Sequence, residues 1–168
     1  MQQRKRRSAL DVLTYTATLP AKRMAAGALF FDDCGRLLLV QPTYKDEWEI
    51  PGGVVEADES PLTACMREVR EELGLKCRQL RLLAIDWVSP RPDRTEGIKV
   101  VFDGGHLSKA EIRRIKTPAD ELYGYSFQTL EDARALVVPG MARRLTAAMA
   151  AIRCGATVYL EDGYPIGQ

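Results

Sequence analysis

Histidine is almost absent from this chain: His106 is the single one among 168 residues. One imidazole excludes a histidine-rich zinc centre. The four cysteines, Cys34, Cys65, Cys77 and Cys154, show neither zinc-finger nor redox-motif spacing. They read as free thiols of a reducing cytoplasm. Net charge is nearly absent too, at +1. No global field therefore draws the protein to a nucleic acid duplex or an anionic membrane. No apolar run reaches transmembrane length. Behind the basic tetrad Arg4, Lys5, Arg6 and Arg7 comes Ser8-Ala9-Leu10-Asp11-Val12, too short and too soon charged for a secretory core. The tetrad reads as a solvated, mobile terminus. Any anionic substrate must be held by local features: bound cations, loop amides and a few arginines.

What is present is an ordinary globular composition, 46% hydrophobic and 28% charged, in a length that suggests one domain with a core of its own. The expected organisation is an extension over 1–20, a domain over 21–155 and a tail over 156–168. Met24 to Phe31 and Leu37 to Val40 are apolar runs around Asp32-Asp33-Cys34-Gly35, the pattern of a β-hairpin. Trp48-Glu49-Ile50 reads as a short strand ending at Pro51-Gly52-Gly53, where backbone approaches something closely. Leu80 to Val88 and Ile98 to Phe102 read as strands, and Ile112 to Ile115 and Leu122 to Phe127 as weaker ones. Gly104-Gly105-His106 reads as a turn. Helices are expected after Ser60-Pro61, after Thr129 with a capping-box pattern, and after Pro139-Gly140. A last strand is expected near Thr157 to Leu160. Strands interleaved with helices imply an α/β domain, a sheet covered by helices.

The helix after Ser60 carries the chemistry. Ser60 is a good N-cap, Pro61 suits the first helical position, and Gly74 suits the residue past the end. At 100° per residue, Leu62, Cys65, Met66, Val69 and Leu73 form a core-facing stripe. Glu68, Glu71 and Glu72 crowd one flank within a wedge of about 100°, and Arg67 and Arg70 fall on the other. Like charges at i,i+4 cost a helix a few tenths of a kcal/mol. A hard divalent cation between them reverses that sign. The spacing alone also fits a solvated acidic face.

From Gly53 the chain reads GVVEADESPLTACMREVREELGL. This resembles the complete box of the Nudix family, G-x5-E-x7-R-E-U-x-E-E-x-G-U with U a bulky aliphatic. Gly53, Glu59, Arg67, Glu68, Val69, Glu71, Glu72, Gly74 and Leu75 fill every constrained position. A chance match is on the order of one in ten million. The resemblance implies a Nudix-type α/β/α sandwich with a mixed β-sheet and a pyrophosphohydrolase using Mg²⁺, with Mn²⁺ as a substitute. It would cleave a nucleoside diphosphate linked to another group. Carried onto this chain, Glu68 and Glu72 would be the main metal ligands and Glu71 would bind a further metal or help activate water. The Gly52 carbonyl would add an oxygen, Arg67 would hold the glutamates, and Glu59 would act from further out.

A general base from outside the box would be Glu121, with Glu96 as its rival; each also fits an ordinary exposed acid. Trp48 fits either base stacking or core packing. Arg91 and Arg94 fit either a phosphate grip or solvation. Arg143, Arg144 and Arg153 read as a solvated face, and Tyr159 and Tyr164 as surface for a neighbouring subunit, many relatives being dimers. Ser89-Pro90 followed by Glu96 is loosely similar to ADP-ribose pyrophosphatases. A nucleotide-sensing domain that acts through a partner without catalysis is the alternative; it would usually lose box glutamates, and a separate DNA-binding domain, which would support a regulator, is not expected to fit beside a full Nudix fold in this length. An isomerase of the same fold would need several histidines.

Overall fold

The computed structural model describes residues 9–77 and 79–167, and the basic tetrad at 4–7 lies outside the described residues. After a short helix α1 (Ala9–Thr16) come strands β1 (Arg23–Phe31), β2 (Leu37–Pro42) and β3 (Gly52–Val54), then helix α2 (Pro61–Leu73). Strands β4 (Arg81–Val88) and β5 (Gly97–His106) precede a single helical turn α3 (Lys109–Ile112) and strand β6 (Leu122–Gln128). Helices α4 (Leu130–Leu136) and α5 (Pro139–Cys154) lead to strands β7 (Val158–Glu161) and β8 (Tyr164–Pro165).

Among the described residues the strands form one mixed sheet in the order β6-β2-β1-β5-β4-β7-β8, with β3 on β1. β1 runs parallel to β5 and antiparallel to β2 and β3. Helices cover both faces. Ala26, Ala28, Phe30, Leu38 and Val40 pack with Cys65, Val69 and Leu73 of α2. Leu29, Phe31, Leu37 and Leu39 pack with Ala133 of α4 and Leu145 and Ala148 of α5. Both faces of β1 and β2 are buried, which is why these strands read as continuous apolar runs rather than as alternation.

Several local expectations are corrected. Ile112 to Ile115 is no strand: Ser108 and Glu111 close a capping box that winds Lys109–Ile112 into a helical turn. Trp48-Glu49-Ile50 makes only the bridge Val40↔Glu49. Pro51 has no N–H for a ladder, and the strand starts one residue later, at Gly52. Gly104-Gly105-His106 lies within β5, whose register against β1 shifts between Leu29 and Phe30. A Cβ at Gly104 would meet the Phe30 ring at 2.2 Å. On α2, Leu62 and Met66 are exposed and Ala64 is buried in their place. Arg144 is not on a solvated face: it is buried against the fully buried Asp86.

Candidate metal centre and adjoining cavity

Helix α2 starts and stops where its capping residues dictate. Ser60 accepts from the Thr63 N–H, Pro61 follows, and Gly74 ends the helix in the left-handed conformation at φ 68°. The buried stripe Ala64, Cys65, Val69 and Leu73 fixes its rotation on the sheet. That rotation turns Glu68 and Glu72 toward β3, which Gly52 and Gly53 hold against Ala26 and Gly27 of β1.

Both glycines are required by space. Gly52 sits at φ 143°, where a Cβ would lie 2.3 Å from the Ala26 carbonyl oxygen. At Gly53 a Cβ would lie 2.4 Å from the carboxylate carbon of Glu68. The Glu68 carboxylate therefore rests directly on the strand backbone. The Gly52 N–H donates to Glu72 Oε2 at 2.8 Å.

Arg67 ties the remaining acids together. Its Nε and Nη2 donate to the two carboxylate oxygens of Glu59, each at 3.0 Å. Its Nη1 donates to Glu68 at 2.8 Å and to Glu71 at 3.1 Å, and Nη2 also reaches the Val54 carbonyl at 3.0 Å. The helical wheel separates Arg67 from the glutamate flank, but its long side chain spans the gap. These bonds raise the Arg67 pKa, the Glu59 pair contributing most. Glu71 stays half exposed.

Among the described residues no cation pairs with Glu72. Burial pushes its pKa up to about 8; the Gly52 N–H opposes this, and the charges of Glu68, Glu49 and Glu121 add to it. Three carboxylates, Glu68, Glu49 and Glu121, thus act electrostatically on the half-buried Glu72. The donor set is all hard oxygen, the chemistry that suits Mg²⁺ or Mn²⁺. Among the described residues, a group of ligand-type side chains whose ligand atoms lie within 4.8 Å of one another sits elsewhere, at Asp32, Asp33 and Cys34. There Asp32 already accepts from the Cys34 N–H, the Arg36 N–H and Arg36 Nε. That carboxylate closes the β1–β2 turn.

A cavity of about 210 Å³ opens beside the glycines, lined among others by Gly27, Glu49, Ile50, Lys99, Met141 and Arg144. Of the residues expected around the site, Arg67, Glu68, Glu71 and Glu59 are joined by hydrogen bonds, and Glu121 stands near enough to act on Glu72. Trp48 packs instead against the core on the α4–α5 side, its backbone N–H donating to the Leu136 carbonyl. Arg91 is exposed in a loop bridged to Arg94. Glu96 accepts from Lys22 and from Trp87 Nε1. The Lys22 contact lowers its pKa, the wrong direction for a general base near neutral pH. None of these three lines the cavity.

Sequence reasoning missed Glu49, Asp86, Lys99 and Arg144. The signal for two of them was a charge inside an apolar strand: Asp86 between Ile85 and Trp87, and Lys99 between Ile98 and Val100. Such residues are rarely buried without a purpose.

Comparison with known proteins agrees with this geometry. The RNA pyrophosphohydrolase of Halorhodospira halophila is 45% identical over 53 residues, 32% of this chain and 29% of that protein. The diphosphoinositol polyphosphate phosphohydrolase 2 of Rattus norvegicus is 46% identical over 59 residues, 35% of this chain and 33% of that protein. The match thus spans about a third of either relative. The solved structure of a MutT protein from Methanosarcina mazei superposes with a TM-score of 0.65 at 23% identity, covering 82% of this chain and 99% of that one. The family model for the NUDIX domain matches residues 21–148. The chain belongs to the Nudix hydrolase family.

Proposed function

We propose that this chain is a Mg²⁺-dependent pyrophosphohydrolase that cleaves the diphosphate of a nucleoside diphosphate linked to a second group. The observation that carries the reading is Glu72: a half-buried carboxylate, its pKa pushed up to about 8, under the charge of further carboxylates and with no ion pair among the described residues. Two relatives whose names state hydrolysis of phosphate-bearing substrates support the reaction class. Their names differ in the molecule cut, which agrees with a box that sets the chemistry and leaves the substrate to other residues.

A pyrophosphate repels hydroxide by its dense negative charge. A divalent cation, when bound, neutralises that charge and makes water a better nucleophile. Glu68, Glu72 and the Gly52 carbonyl are the groups that would hold it, and Glu71 a further one. Arg67 keeps Glu59, Glu68 and Glu71 at fixed positions through paired, charge-assisted bonds. Glu121, on the loop before β6, is the candidate to take the proton of the attacking water. The cavity beside Gly52 and Gly53 receives part of the group attached to the diphosphate.

The test is product release from nucleoside triphosphates, ADP-ribose, nucleotide sugars and dinucleoside polyphosphates with Mg²⁺ or Mn²⁺, with Glu72→Gln run alongside. Cleavage by wild type alone supports the hydrolase and names the substrate group. Nucleotide binding without cleavage by either protein overturns it in favour of a sensing domain.

A further inference from the structure

The cavity beside Gly52 and Gly53 holds a cation that the proposed chemistry does not use. Lys99 stands in β5 with Asp86 of β4 and Ala25 of β1 as its register partners. Asp86, the carboxylate opposite it in register, is already engaged. Its Oδ2 binds Arg144 Nε at 2.8 Å and Nη2 at 2.6 Å, and its Oδ1 accepts from the Gly163 N–H at 2.9 Å. Glu49, the carboxylate that lines the cavity, is paired with Lys45. Among the described residues the Lys99 ammonium has no hydrogen bond and no ion pair, although every sealed side-chain nitrogen or oxygen has a partner. Its nitrogen therefore keeps open surface, and Lys99 lines the cavity. Burial, and after it the charge of Arg144, lowers its pKa, so an acceptor for the ammonium is what the wall lacks.

Apart from Lys99, Arg144, Glu49 and Tyr44, the side chains of the wall are small or apolar, Ala25, Gly27, Ile50, Val101 and Met141 among them. At about 210 Å³ the space falls below the roughly 300–1,000 Å³ of sites for drug-sized ligands. It suits one planar base, of a single ring or two fused rings. An ammonium only donates. A phosphate here would bring about two negative charges beside Glu49, and among the described lining residues Lys99 is the cation without an ion pair, so it would be poorly compensated. A carbonyl oxygen on a planar ring matches both the shape and the single donor.

We propose that Lys99 is a specificity-determining residue that donates to the keto oxygen of a nucleobase seated in this cavity, so that guanine and uracil are preferred over adenine and cytosine. The latter two present an amino donor where the former present oxygen. The inference rests on the reading above that the diphosphate lies at the carboxylate cluster next to the cavity.

The experiment is calorimetric binding of GDP, UDP, ADP and CDP in Mg²⁺ to the full chain and to Lys99→Met and Lys99→Arg, with turnover of the corresponding triphosphates followed in parallel. The expected result is that GDP and UDP bind wild type roughly tenfold more tightly than ADP and CDP, the worth of one hydrogen bond from a charged donor. Lys99→Met loses the preference while keeping its melting transition, and Lys99→Arg keeps part of it. Equal affinity for all four nucleotides in wild type, a preference unchanged in Lys99→Met, or no binding of any of them overturns the proposal. Keto preference without turnover would remove the hydrolase reading and leave Lys99 its role. Turnover without base preference would do the reverse.

Discussion

The Gly52 N–H and Glu72 Oε2 meet at 2.8 Å, which joins the strand that enters the box to the last turn of its helix at a carboxylate. The contact orients Glu72 with a neutral donor and leaves its charge uncompensated. A cation can then bind there without first displacing an arginine.

Glu72→Gln is expected to lower kcat by at least about a hundredfold, beyond the 10–100-fold typical of losing a group that only supports a metal ligand. The amide oxygen still accepts from Gly52, and the side chain lies off the buried stripe, so the fold should persist. Turnover with Mg²⁺ and thermal melting of the same sample check both halves.

Metal-free protein should lose stability as pH rises from about 4.5 to about 8. The folded-state pKa of Glu72 is raised from 4.5 to about 8, so in that window the folded state binds a proton that the unfolded state has released. By linkage, stability falls with pH there. Added Mg²⁺ competes with that proton and should raise Tm more at pH 8.5 than at pH 6. An equal Tm gain at both pH values would remove Glu72 from the metal site. Glu72→Gln should flatten both effects.

Gly53→Ala should impair the site without unfolding the chain. The added Cβ would lie 2.4 Å from the Glu68 carboxylate carbon, the mobile end of a long side chain that can move aside. The loss is expected in metal affinity, read as a rise in the Mg²⁺ concentration for half-maximal activity, with Tm within a few degrees of wild type. A collapsed Tm would show instead that the backbone cannot take the methyl group.

Arg67→Lys should behave almost as badly as Arg67→Ala. The guanidinium serves Glu59, Glu68, Glu71 and the Val54 carbonyl at once, and an ammonium has no planar fork to do so. Activity is expected to fall about 10–100-fold in both variants, the range for losing a group that supports metal ligands. Rescue of activity by lysine would reduce Arg67 to a simple positive charge.

The buried pair Asp86–Arg144 makes a different prediction. Arg144→Met should destabilise by about 3–5 kcal/mol, because it strands a buried carboxylate. Arg144→Met combined with Asp86→Leu should recover most of that loss. Urea unfolding of the two variants measures it.

The box in the sequence determined the helix, its caps, the glycines before it and the acids upon it, because each depends on residues within a few turns of one another. Helical periodicity and capping are local physics, so Ser60, Gly74 and the carboxylate flank were legible without coordinates. The two-sided burial of β1 and β2 was legible too, in runs with no polar alternation. Only the tertiary structure decided which distant residues meet the box. Glu49 comes to it through a bridge to β2, and Glu121 through the loop whose carbonyl accepts from the Thr43 N–H. Lys99 and Arg144 arrive on β5 and α5, because sheet register and helix docking bring them to one wall. Glu96 and Trp48 matched the expected residue types but were drawn off, one to Lys22 and Trp87, the other into the core. Strand pairing and packing are long-range, and a one-residue shift in register would turn Lys99 to the other face of the sheet. The residues proposed for the chemistry were therefore readable along the chain, whereas the cavity proposed to read the substrate exists only in the fold.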